Sequence, residues 1–211
     1  MPTPPKKKSL KSAGSTVLGH KTTHYHQNVS KDNPSFFDQV SYGLANLRRI
    51  HLYGPVGADM TAHFVNLSTY HASRNKKPIE IFINTPGGEV MQGLAIYDQI
   101  KWLQSQGIKI NVTATGMCMS MGVPIMQAAN VRRSTVHTRF LLHEMSYGAM
   151  GSHSSMNDRV RESNRLVEIL DGILVQRSNL TLEQLHNLTE RKDYVLDAQE
   201  ALAHGLIDEI V

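Results

Sequence analysis

Cysteine is almost absent from this 211-residue chain: Cys118 stands alone, which excludes an internal disulfide and any multi-cysteine zinc site and fits a reducing compartment. No stretch approaches the roughly 20 consecutive apolar residues that a membrane helix needs. The segment SLKSAGSTVLGH at 9–20 is too polar for a secretory signal. These absences point to a soluble protein with no membrane partner, expected in the cytoplasm, with an organellar stroma or matrix as the alternative. Acidic residues are missing from the first 31 positions, where Lys6, Lys7, Lys8, Lys11, Lys21 and Lys31 give +6. Residues 32–211 carry 16 basic against 18 acidic residues, so the overall +4 belongs to the tail.

That tail also lacks apolar periodicity. Residues 1–31 are therefore expected to be a disordered basic arm, not a nucleic-acid-binding domain. A transit peptide is a weaker reading because the start is rich in proline, and His20, His24 and His26 are expected to be solvated, not metal ligands. Residues 32–211, in a chain that is 40% hydrophobic, are long enough for one substantial core.

From residue 48 onward β-rich runs alternate with helical periodicity, the signature of an α/β domain. Strands are expected at 48–54, 78–84, 108–115 and 137–144. One helix is marked by Met60, Phe64, Leu67 and His71, and a second by Val90, Leu94, Tyr97 and Lys101 with Trp102. Ser155 with Asp158, Thr181 with Gln184 and Asp197 with Glu200 have the spacing of an N-cap and its N3 partner, and Gly205 fits a helix stop. The helix expected at 156–177 carries Val160, Leu166, Val167, Leu170, Ile173 and Leu174. That apolar face suits either a core helix or one that also builds a subunit interface.

The chemistry concentrates on Ser120, in the run MCMSMG where a strand should turn into a short helix. A serine hydroxyl needs a base to take its proton, and an imidazole held by a carboxylate supplies one. His143, at the end of FLLH, and Asp193 follow in that order; a helix cap, a buried structural histidine and a surface carboxylate are the bland alternatives. The order Ser, His, Asp disfavours an α/β-hydrolase. INTPGG at 83–88 places two glycines after a strand, where backbone N–H groups can face a bound carbonyl.

INTPGGEVMQGLAIYD, the SMG of the serine turn, LLHE and TERKDYVLDAQEALAHGLIDEIV resemble, in order and spacing, the proteolytic subunit of the Clp protease family, from about residue 48 to the C-terminus. The resemblance implies a spiral of βαβ units shared with crotonases, as a single domain with a protruding helix-strand handle formed by the helix after 155. It implies Ser120 as nucleophile, His143 as general base, Asp193 as orienting carboxylate, the amides of Gly88 and Met121 as oxyanion hole, and Gly148 and Gly151 in a substrate-aligning strand. No metal or cofactor is implied in this subunit. Homo-heptameric rings, stacked as a tetradecamer, would enclose a chamber for unfolded polypeptides and short peptides, fed by an AAA+ unfoldase that uses ATP. Two other classes are a crotonase-like acyl-CoA enzyme and a non-catalytic ring subunit. The first 47 residues depart from the family pattern.

Overall fold

Side-chain alternation decides the centre of the sheet. In the computed structural model, which describes residues 39, 43, 44, 46–146, 153–190 and 192–211, strands β1 (Arg49–Tyr53) and β2 (Ile79–Thr85) bury every second residue. Ile50, Leu52, Ile79, Ile81 and Ile83 lie in the core with Ile110, Val112 and Ala114 of β3 (Ile110–Met119). Helix α1 (Ala58–Arg74) follows β1, and α2 (Val90–Ser105) follows β2. The short α3 (Gly122–Gln127) follows β3 and leads to β4 (Val131–Ser134). The remaining elements are β5 (Arg139–Leu142), α4 (His153–Arg177), α5 (Leu182–Thr189), β6 (Tyr194–Leu196), α6 (Ala198–Ala203) and β7 (Glu209–Ile210).

Among the described residues the sheet runs β1-β2-β3-β4-β7 with parallel neighbours, and the connections are the expected βαβ units of the spiral fold. β3 is longer than the run 108–115 suggests, and it forks. Asn111–Ala114 pair with β4, while Met117–Met119 pair with β5, which in turn pairs antiparallel with β6. Ser120 follows directly on the fork.

Several expectations need correction. The buried face of α2 is Gly93, Ile96, Ile100 and Leu103, with Val90, Leu94 and Tyr97 flanking it; Lys101 is exposed and Trp102 is 51% exposed. The apolar stripe is thus centred one position away from the one read in the sequence. β4, β6 and β7 are additional strands, too short to announce themselves. In β4, Arg132 is buried because its guanidinium donates to Gln127 Oε1, to the carbonyls of Arg177 and Gly205 and to Asp208, with the closest ion-pair distance 2.5 Å. Helix α4 starts at His153, which puts Ser155 inside its first turn and not at its cap. Thr181 with Gln184 and Asp197 with Glu200 do form reciprocal capping boxes, and Gly205 has φ +70° after α6.

Only the C-terminal half of α4 joins the core. Ile173 and Leu174 are buried and Leu170 packs against the core, whereas residues 156–162 are exposed, Met156 and Val160 among them, with Ser163 the first buried position.

Candidate active site

The end of β3 bends into the turn that carries Ser120. Pairing with β2 shifts register between Ile83 and Thr85, so that Thr85 lies opposite Cys118. Ser120 then takes φ +50°, a left-handed conformation that costs an L-residue about 1 to 2 kcal/mol and recurs where surrounding structure holds a reactive side chain in place. Two bonds hold it. Its N–H donates to the Leu141 carbonyl at 2.9 Å, and its own carbonyl accepts from Val123 N–H at 3.0 Å to open α3.

The glycine pair lies against this turn. Gly87 has φ +93°, and a Cβ there would sit 2.5 Å from Ser120 Cβ and 2.8 Å from the Met119 carbonyl. Gly88 has φ +152°, and a Cβ there would sit 2.2 Å from the Val56 carbonyl. Val56 bridges the pair: its N–H donates to Gly87 O at 2.8 Å and its carbonyl accepts from Glu89 N–H at 2.9 Å. Among the described residues, the N–H groups of Gly88 and Met121 donate to no protein acceptor, and both residues line the same cavity as Ser120. Gly93 of α2 leaves room for the Met121 side chain, which a Cβ would meet at 2.2 Å.

His143 follows β5 and brings its Nε2 to 2.8 Å from Ser120 Oγ, within hydrogen-bond reach. Asp193 immediately precedes β6. The β5–β6 ladder pairs Phe140 with Leu196, Leu141 with Val195 and Leu142 with Tyr194, so one further step in this register sets His143 opposite Asp193. The Asp193 side chain is exposed and, among the described residues, makes no hydrogen bond or ion pair with His143. Gly148 and Gly151 lie outside the described residues. Cys118 is fully buried, and burial pushes its thiol pKa far up, so it stays protonated and does not compete as a nucleophile.

A cavity of about 690 Å³ opens onto the pair. Its walls are the glycine and serine turns, the segment after β5, and the facing residues of α4 and α5. Met121 and Met145 line it, whereas Met126 is core filler and Met117 is partly exposed. Three contributions went unread in the sequence: Gly87 as the floor of the serine turn, Thr85 Oγ1 accepting from Gly87 N–H at 3.1 Å, and Asp171 with His186 on the helical wall. The doubled glycine hinted at the first; positions 171 and 186 carry no sequence motif.

An imidazole on a strained serine beside two unused amides is the equipment of a serine hydrolase. A family model described as Clp protease matches residues 31–211, reaching back beyond position 48 where the motifs begin. The chain is 33% identical over 175 residues to the ATP-dependent Clp protease proteolytic subunit 3 of Rhizobium etli, covering 82% of this chain and 88% of that protein. To the proteolytic subunit 2 of Pseudomonas aeruginosa it is 35% identical over 174 residues, covering 82% and 84%. A solved structure of a ClpP1 mutant from Listeria monocytogenes aligns with a TM-score of 0.74 at 26% identity, over 82% of this chain and 95% of that one. The chain belongs to the Clp protease family and is a peptidase of the Clp type; the acyl-CoA and non-catalytic alternatives are not favoured.

Proposed function

We propose that this chain hydrolyses peptide bonds through an acyl-enzyme on Ser120. Ser120 Oγ attacks the carbonyl carbon as His143 Nε2 accepts its proton. The oxyanion is bound by the N–H groups of Gly88 and Met121, and the protonated imidazole then returns the proton to the leaving amine. Water repeats the sequence and releases the acyl product. Asp193 steers the imidazole once β5 and β6 extend by one residue pair. The 2.8 Å contact between Ser120 and His143, at a backbone conformation unfavourable for serine, carries the reading.

In the cytoplasm the subunit assembles into heptameric rings, singly or as a tetradecamer. Unfolded chains reach it through a partner AAA+ unfoldase, which uses the ATP, and Gly148 and Gly151 align the substrate strand. The outer half of α4 supports the assembly, since its two apolar side chains, Met156 and Val160, stay 42% and 39% exposed in the isolated subunit. A fluorophosphonate probe should label the assembled protein, and Ser120→Ala should abolish both the label and cleavage of a fluorogenic peptide. Equal labelling of the two proteins would overturn the assignment. Native mass measurement on the same sample gives the ring stoichiometry.

A further inference from the structure

The wall of the catalytic cavity contributed by α4 and α5 is not uniformly apolar. Leu170, Leu174 and Leu185 line it, and among them stand Asp171 of α4 and His186 of α5. His186 Nε2 lies 2.7 Å from Asp171 Oδ2, fixing the carboxylate across the two helices. Asp171 is 19% exposed at its side chain, and among the described residues its Oδ1 accepts no hydrogen bond. No lysine or arginine lines this cavity among the described residues, whereas Glu144 and Glu190 do.

We propose that Asp171, oriented by His186, is a specificity determinant: it selects substrate side chains next to the scissile bond that have an apolar stem and a cationic tip, lysine or arginine, over acidic ones. The inference rests on the peptidase reading of the same cavity. Leucine methyls can cover the methylene stem of such a side chain while its terminal nitrogen reaches the open carboxylate oxygen. A glutamate in the same place would meet the Asp171 carboxylate with no lysine or arginine lining the cavity, among the described residues, to offset it. The His186 contact does not remove the preference, because it engages Oδ2, while Oδ1 of this cavity-lining residue accepts no hydrogen bond among the described residues.

The experiment compares kcat/KM of the assembled full-length protein on matched fluorogenic peptides carrying Lys, Leu or Glu at each residue flanking the cleaved bond. In Asp171→Asn the Lys-to-Glu ratio should fall about tenfold, attraction and repulsion each contributing the few-fold effect of a partly exposed charge pair. The leucine peptide should change far less. In His186→Gln, which keeps the carboxylate, the ratio should hold or rise. A ratio unmoved in Asp171→Asn, or equal losses on all three peptides in both variants, would overturn the proposal and leave the pair a helix-helix tie. Competition binding of the corresponding cleaved peptides, ending in Lys or Glu, needs no catalysis. Discrimination there without hydrolysis would refute the peptidase reading alone, and its absence would refute the specificity proposal alone.

Discussion

Replacing Gly87 by alanine tests whether the serine turn is held by contact or merely by sequence proximity. The new Cβ would lie 2.5 Å from Ser120 Cβ, and ordinary contact begins at 3.4 Å, so one side must yield by about 0.9 Å. The strand side has little freedom. The Gly87 carbonyl is bonded by Val56 N–H at 2.8 Å and its N–H by Thr85 Oγ1 at 3.1 Å, and the Met119 carbonyl crowds the same methyl at 2.8 Å. The serine turn therefore moves, and Oγ leaves its 2.8 Å contact with His143 Nε2. Misplacing a reacting group by about 1 Å costs on the order of a hundredfold in rate. Holding alanine at φ +93° adds about 1 to 2 kcal/mol of destabilisation. We expect kcat/KM to fall about a hundredfold with fluorophosphonate labelling slowed in parallel, and the melting temperature to fall by several degrees, roughly in line with that energy. The matched control is Gly172→Ala within α4, where a Cβ meets nothing within 4 Å; it should raise stability by about 0.5 to 1 kcal/mol and leave the rate unchanged. If Gly87→Ala melts lower yet cleaves within about threefold of the original protein, the serine turn does not depend on this contact.

Asp193→Asn should lower kcat by about three to four orders of magnitude, the loss expected when the imidazole loses its orienting carboxylate; a loss below tenfold would remove Asp193 from the mechanism. Arg132→Met should destabilise by about 3 kcal/mol, read as a lower urea midpoint at constant slope, because it strands Asp208 and the carbonyls of Arg177 and Gly205 together. His71 gives a pH signature. Desolvation first, and the Arg48 charge second, lower its imidazole pKa below the usual value, and among the described residues its buried Nε2 has no hydrogen-bond partner. Between the depressed native pKa and the ordinary one the unfolded chain binds more protons, so stability is full above the ordinary value and declines as pH falls through that window. Melting temperatures from pH 7 to pH 5 should therefore decrease, and His71→Gln should flatten the curve; an unchanged slope would show that His71 is not the group responsible.

What could be read from the chain was what short-range chemistry dictates. IEIFINT alternates strictly because one face of β2 is core, and the capping boxes at Thr181 and Asp197 close over three residues, so neither needs tertiary information. Ser120 and Gly87-Gly88 stood out because each breaks an apolar strand with residues that a strand does not need. β4, β6 and β7 were hidden, being 4, 3 and 2 residues long and held by partners distant in sequence. Arg132 illustrates why: a buried arginine makes no apolar pattern, and its partners at 177, 205 and 208 meet it only in the fold. The face of α2 was misplaced because Gly93 contributes no hydrophobicity, yet its missing side chain is what admits Met121. Asp171 and His186 were silent for a related reason, since two polar residues 15 positions apart become a pair only when α4 and α5 pack.

Ser120 and His143 are joined more tightly than His143 and Asp193, and the sheet explains why. Ser120 ends a ten-residue strand whose last three positions pair with β5, and its own N–H extends that pairing to Leu141. His143 is two residues beyond that bond, so the same ladder that bends the serine turn also delivers the imidazole. Asp193 instead hangs from β6, a three-residue strand attached antiparallel to the far edge of β5. Its approach to His143 requires the pairing to continue past Leu142 and Tyr194, where the ladder ends. Opening or closing one residue pair can thus separate the carboxylate from an otherwise assembled serine and imidazole. On the role proposed for Asp193, stabilisation of the β5–β6 edge, by neighbouring subunits or by bound substrate, should raise kcat without moving Ser120.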